Sequence, residues 1–174
     1  MGVNVEIKAR VRNLEELTGL AEKITDRPAA VIKQEDIFFN TAGNRLKLRI
    51  FSEDKGELIY YERNDQPGPK RSDYYISETH DPQSLKDVLQ KAYGIRGTVK
   101  KIRTLYMCDN TRIHVDRVEG LGNFMELEVV LNDGQSEADG DAISNDIMSR
   151  LNIKREDLLD NAYIDMISPL QHHA

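Results

Sequence analysis

RLKLRIF, residues 45–51, places Arg45, Lys47 and Arg49 on one side of a strand and Leu46, Leu48 and Ile50 on the other, because strand side chains alternate with a period of two. Three like charges in one row repel each other unless an anion lies across them. The same alternation opens the chain. From Val3 to Val11 every odd position is apolar or Ala, and the even positions are Asn4, Glu6, Lys8 and Arg10. It returns in KQEDIFFN (33–40), ELIYYER (57–63), YYISET (74–79), TVKKIRTLYM (98–107), TRIHVDRV (111–118) and FMELEVVL (124–131).

These segments give about eight strands, joined by hairpin turns or by a helix that crosses back. Asn13 with Glu16 reads as a capping pair for one helix. Asp81 with Pro82 opens a second, with Leu85, Val88, Leu89 and Ala92 as its buried stripe. Ser136 opens a third, and a final helical segment runs over 155–167. The proline- and glycine-bearing stretch NDQPGPKRSD (64–73) reads as a loop. The expected architecture is α+β: an eight-stranded antiparallel barrel, closed or nearly so, with helices packed outside, forming one domain over residues 1–174.

Two readings fit the polar faces. Each is the solvated side of an amphipathic strand, or, if helices cover the apolar outside, the ionic rows face inward and line a tunnel. Single-sign dominance on most strands favours the tunnel. Its cations would be Lys8, Lys47, Arg49, Arg63, Lys101 and Arg103, with Arg112 a seventh, more than one phosphate requires and suited to a triphosphate. Glu6 on the first strand would converge with Glu126 and Glu128 on the last when the barrel closes. They would either form a hard-oxygen site for Mg²⁺ or Mn²⁺ or pair internally with the arginines. His114, between Arg112 and Asp116, either tunes a proton transfer or is a hydrogen-bonded structural residue.

Composition narrows the function classes. The 174 residues are 39% hydrophobic and 31% charged, and 30 Asp and Glu against 24 Lys and Arg give a net charge of −6, which argues against a nucleic-acid partner. No run reaches the roughly 18–20 apolar residues of a membrane span, and the N-terminus lacks a signal-like apolar stretch. The expectation is a cytoplasmic protein with no membrane partner. Cys108 stands alone, so no disulfide framework or multi-cysteine zinc site is expected.

NVEIK resembles the N-terminal ExExK strand of the CYTH superfamily, the triphosphate tunnel metalloenzymes, which includes class IV adenylyl cyclases, thiamine triphosphatases and inorganic triphosphatases. RLKLR, VKKIR, TRIHVDRVEGLGNF and MELE follow in that family's order, so the resemblance covers roughly residues 3–131. It implies an eight-stranded tunnel that takes a triphosphate-containing small molecule with one or two divalent metals, Mg²⁺ or Mn²⁺. In this chain Glu6, Glu126 and Glu128 match the metal-binding carboxylates, and Lys8, Lys47, Arg49, Lys101, Arg103 and Arg112 the phosphate-binding cations, with Arg63 placed by spacing. Asn4 stands where the family has its first signature Glu; an amide offers a neutral oxygen but neither charge nor a base. The leading expectation is a metal-dependent triphosphatase with Glu6, Lys8 and Glu128 in the chemistry, as a monomer or homodimer. A class IV adenylyl cyclase and a non-catalytic polyphosphate or nucleotide binder are the alternatives.

Overall fold

The computed structural model describes residues 2–63 and 68–171, excluding the side chains of 63 and 168–171. In chain order the elements are β1 (Gly2–Arg10), α1 (Leu14–Ile24), β2 (Ala30–Phe39), β3 (Arg45–Ser52), β4 (Lys55–Arg63), β5 (Lys70–Thr79), α2 (Pro82–Tyr93), β6 (Ile95–Cys108), β7 (Thr111–Val118), β8 (Gly122–Val130), α3 (Glu137–Arg150), β9 (Leu158–Leu159) and α4 (Tyr163–Gln171). The strands run β5-β4-β3-β2-β6-β7-β8-β1, all antiparallel, and β5 pairs with β1 to close the barrel. Closure runs from Gly2 opposite Tyr74 to Glu6 opposite Lys70. Beyond Glu6 the two-residue β9 takes over the same edge of β1, opposite Lys8 and Ala9.

The alternation read from the sequence therefore has a definite meaning. Ile7, Ala9, Ile113, Val115, Met125 and Leu127 face outward into a core with Leu17 and Ala21 of α1, Ile147 and Met148 of α3 and Leu151 at its C-terminal cap. Ile37, Phe39 and Leu48 face outward against Leu89 of α2. The charged positions between them point into the barrel. The fourth helix lies across one mouth: Tyr163, Ile164 and Ile167, with Ala162 just before them, pack with Phe38, Ile59, Tyr61, Val99 and Phe124.

The helix starts follow their caps. Asn13 Oδ1 accepts from Glu16 N at 3.0 Å, Asp81 Oδ1 accepts from Ser84 N at 3.1 Å, and Ser136 with Asp139 forms a reciprocal capping box. Three boundaries differ from the sequence reading. Residues 70–73, read as loop, are the first part of β5; they lack an apolar face because Lys70 and Ser72 point inward while Arg71 and Asp73 pair outside, Nη2 to Oδ1 at 2.9 Å. The segment 155–167 is not one helix but a 3-10 turn, β9, and then α4 from Tyr163. Val88 is 61% exposed and Ala92 is exposed too, so the stripe of α2 is narrower than its pattern suggests. Among the described residues no helix is long and apolar enough to cross a membrane.

At Gly140 α3 touches the sheet: a Cβ there would lie 2.5 Å from Val5 Cγ2 and 2.8 Å from Leu131 Cδ2. Alanine in an exposed helix would gain about 1 kcal/mol over glycine, whereas overpacking costs about 1–3 kcal/mol. Gly140→Ala is expected to lower the urea midpoint without changing the m-value; a raised midpoint would mean that the helix stands off the sheet.

Candidate functional site

The inward rows meet around a cavity of about 250 Å³ that runs into the barrel. One wall belongs to β2, β3 and β6. Asp36, 1% exposed, is its centre. Arg49 grips this carboxylate with Nε at 2.8 Å and Nη2 at 2.9 Å, Lys101 Nζ lies 3.3 Å away and Lys47 Nζ 3.8 Å. Burial alone would raise the Asp36 carboxyl, but Arg49, Lys101 and Lys47 outweigh it and hold it well below the usual carboxylate range. Burial acts on Lys47 in the opposite sense. Together with Arg49, and against the pull of Asp36, it brings the Lys47 ammonium down to about 7.

The facing wall belongs to β1, β7 and β8. Antiparallel register sets Glu6 opposite Glu128 and Lys8 opposite Glu126 across β1–β8, and His114 opposite Glu126 across β7–β8. Lys8 Nζ lies 3.5 Å from Glu126, 4.0 Å from the centre of the Tyr163 ring and 3.3 Å from the Asn161 carbonyl, to which it donates. Arg112 reaches Glu128 at 3.5 Å, and Asn4 Nδ2 donates to Glu6 Oε1 at 3.3 Å. Against their burial, Glu126 is held well below its ordinary range by Lys8 and Arg103, and Glu128 is lowered with Arg103 and Arg112 beside it. Both are therefore ionised at neutral pH.

One nitrogen and two oxygens stand ready for a cation. Ligand atoms of His114, Glu126 and Glu128 all lie within 4.8 Å of each other. His114 Nδ1 is buried, has no hydrogen-bond partner and sits 3.5 Å from Glu128 Oε1. Burial, reinforced by Arg103, brings the His114 pKa down to about 3, so the imidazole is neutral and its lone pair is not taken by a proton. A neutral nitrogen beside two ionised carboxylates is a donor set that fits a divalent ion such as Mn²⁺ or Mg²⁺.

The residues singled out in the sequence divide as follows. Glu6, Lys8, Lys47, Arg49, Lys101, Arg112, Glu126 and Glu128 line the one cavity. Arg103 lies behind its wall, 2% exposed, with both arms of its guanidinium on Asp116 at 2.7 Å and a further contact to Glu126 at 3.2 Å. The side chain of Arg63 lies outside the described residues. Arg45, the first member of the cationic row, joins Arg96 on Asp165 of α4, at 2.8 and 2.6 Å.

Three side chains escaped the sequence reading, and a fourth was noted without its neighbours. Asp36 looked like one more polar position. Lys70, which donates to the Asp160 carbonyl, fell in a presumed loop. Tyr163 donates its hydroxyl to Asp116 at 2.9 Å from a helix whose position no local pattern encodes. His114 was recognised as inward-facing, but its company with two carboxylates depends on strand register. The consequence is a balanced wall: the cavity-lining cations Lys8, Lys47, Arg49, Lys101 and Arg112 are matched in number by Glu6, Asp36, Glu57, Glu126 and Glu128 among the described residues. The sequence led to a predominantly cationic tunnel; among the described residues the cavity lining holds as many carboxylates as Lys and Arg side chains.

A family model for the CYTH domain matches residues 3–163. A Methanocaldococcus jannaschii protein named "Putative adenylate cyclase MJ0240" is 24% identical over 173 residues, covering 94% of this chain and 98% of its own. The solved structure of PH1012 from Pyrococcus horikoshii superposes with a TM-score of 0.83 at 26% identity, covering 93% of this chain and 98% of that one. A Hippeastrum protein described as "Putative adenylyl cyclase HpAC1", with a dominant triphosphatase activity, shares the fold with a TM-score of 0.67 at 15% identity, covering 98% and 96%.

Lys47 gives the site a pH signature. Its pKa is about 7 in the folded chain and near 10.5 when unfolded, so between those values the unfolded chain binds the extra proton and stability rises with pH. Below pH 7 the cost of burying the ammonium among Arg49 and Lys101, offset in part by Asp36 and Glu126, is fully present. Lys47→Met is therefore expected to be more stable than the parent at pH 6, with the difference shrinking by on the order of 2–4 kcal/mol towards pH 10 in urea unfolding. A difference independent of pH would mean that Lys47 stays charged throughout.

Proposed function

We propose that this chain, which belongs to the CYTH domain family, binds a triphosphate together with a divalent cation and hydrolyses its terminal phosphoanhydride bond. The His114, Glu126 and Glu128 cluster, on the wall facing Lys47, Arg49 and Lys101, carries this reading. A wall that is formally neutral has little net attraction for a polyanion. Filling the His114, Glu126 and Glu128 cluster with a divalent ion removes the repulsion from the acidic side and leaves a net cationic cavity. Neither ligand is bound well without the other.

The roles follow the two walls. Glu126, Glu128 and His114 would hold Mg²⁺ or Mn²⁺, which would supply positive charge against the phosphate oxygens. Lys47, Arg49 and Lys101 bind the phosphate chain from the opposite side, and Asp36 keeps the Arg49 fork and the Lys101 ammonium from turning away. Arg112 reaches the phosphates beside Glu128. Arg103 holds Glu126 in place from behind the wall, with Asp116 as its counterion. Glu6 lies beside Glu128 and outside the three-donor cluster; it accepts the proton of a water aligned on the terminal phosphorus, while Asn4 fixes the Glu6 carboxylate. Lys8, next to Glu126, balances the charge that develops as the bond breaks. We read residues 1–174 as one domain carrying this site.

Cyclisation of ATP is the second reading, because Phe38, Tyr61 and Tyr74 also line the cavity and give an organic group something to rest on. The two reactions separate cleanly. Purified protein with Mg²⁺ or Mn²⁺ is expected to release phosphate from tripolyphosphate, thiamine triphosphate or ATP; cyclic AMP with pyrophosphate would replace hydrolysis by the cyclase. Glu126→Gln and Glu128→Gln are each expected to lower metal-dependent turnover by at least about 100-fold, beyond the 10–100-fold typical of an outer partner, with the far-ultraviolet circular dichroism unchanged. Turnover within a few-fold of the parent would leave both carboxylates structural.

A further inference from the structure

Lys47 sits on β3 between two apolar neighbours. Antiparallel register sets it opposite Phe38 of β2 and Ile59 of β4, and its Nζ lies 5.7 Å from the centre of the Phe38 ring and 5.1 Å from that of Tyr61. The side chain is 15% exposed and lines the cavity. Its ammonium therefore depends on the charged groups that converge on it from the other strands.

Those groups do not balance it. Among the described residues Asp36 is the carboxylate within ion-pair reach of Lys47, at 3.8 Å, and it is already engaged: Arg49 holds both of its oxygens, at 2.8 and 2.9 Å, and Lys101 donates to it at 3.3 Å. One negative charge thus faces three positive ones, and Lys101, closer and hydrogen-bonded, has the better claim on it. The other carboxylates serve other partners. Glu57 of β4 is set opposite Arg49, Asp165 of α4 holds Arg45, and Glu126 of β8 acts on Lys47 from the facing wall, where it already pairs with Lys8 and Arg103. A third cation around one shared carboxylate, in a cavity with low-dielectric walls, is unfavourable. Burial, reinforced by Arg49, accordingly brings the Lys47 ammonium down to about 7. An arriving triphosphate reverses the balance, because its several negative charges outweigh the local excess of cations and favour the charged lysine.

We propose that Lys47 is a neutral amine in the empty tunnel and becomes an ammonium as the phosphate chain settles across it, so that binding a triphosphate draws one proton from solvent. The inference rests on the triphosphate reading of the tunnel. Arg49, which does not deprotonate, is the fixed charge of this wall, and Lys47 is its pH-dependent one. The sign follows from linkage: a ligand that binds with proton uptake loses affinity as pH rises above the pKa of the free group, by up to about tenfold per pH unit.

Calorimetric titration of the whole chain with bismethylene triphosphonate and Mg²⁺, repeated at pH 8 in buffers of different ionisation enthalpy, counts the protons exchanged. Lys47→Arg, whose charge is fixed, corrects for protons that belong to the probe or to other groups. The parent is expected to take up roughly one proton more than Lys47→Arg, and its affinity relative to that variant to fall at least about tenfold between pH 7 and pH 9. Lys47→Met, which has no proton to gain, is the reference if Lys47→Arg does not bind. If neither variant binds, the ¹³Cε resonance of Lys47 in the parent is the readout, expected to titrate near pH 7 without the probe and at a clearly higher pH with it. Equal proton uptake in parent and variant, or a Lys47 that titrates near 10.5 in the free chain, overturns the proton coupling and leaves the triphosphate tunnel standing. A parent that binds no triphosphonate overturns both.

Discussion

Everything inside this barrel depends on one seam, the five-residue pairing of β5 with β1 from Gly2–Tyr74 to Glu6–Lys70. Without it the sheet would be open, its ionic face solvated, and its charges screened by water. With it the same side chains are enclosed by low-dielectric walls, where each unpaired charge is expensive. The interior answers with counterions placed by register. Asp36 serves three cations, Asp116 takes both arms of Arg103, and Glu126 sits between Lys8 and Arg103.

That economy has a functional consequence. A tunnel lined only by lysines and arginines would bind any polyanion and be hard to fold. A tunnel in which each buried cation has a carboxylate within reach folds without a ligand and becomes attractive to phosphate when a cation fills the His114, Glu126 and Glu128 cluster. The depressed His114 pKa belongs to the same arrangement: the surroundings that strip its proton leave a nitrogen donor next to Glu126 and Glu128.

Strand alternation made much of this legible in advance. Once Leu46, Leu48 and Ile50 are assigned to the outside, Lys47 and Arg49 must face in, and the same holds for Glu6, Lys8, Lys101, Glu126 and Glu128. What alternation cannot give is the partner across the barrel. Asp36 and Lys101 are 65 residues apart and meet because β2 pairs with β6, and Tyr163 is 47 residues from Asp116 and meets it because α4 packs on the barrel, neither of which any local spacing encodes. The seam itself was the hardest part to see. Residues 70–73 carry polar groups on both faces and follow Pro67, Gly68 and Pro69 in the sequence, so the stretch that closes the barrel reads as loop.

The central claim is that polyphosphate and divalent cation bind this tunnel together, and thermal unfolding tests it most directly. Tripolyphosphate and Mg²⁺, both well above their dissociation constants, are expected to raise Tm by on the order of 5–10 °C, while tripolyphosphate in EDTA at matched ionic strength raises it by far less. The same rise in EDTA, or none in either condition, would contradict the account.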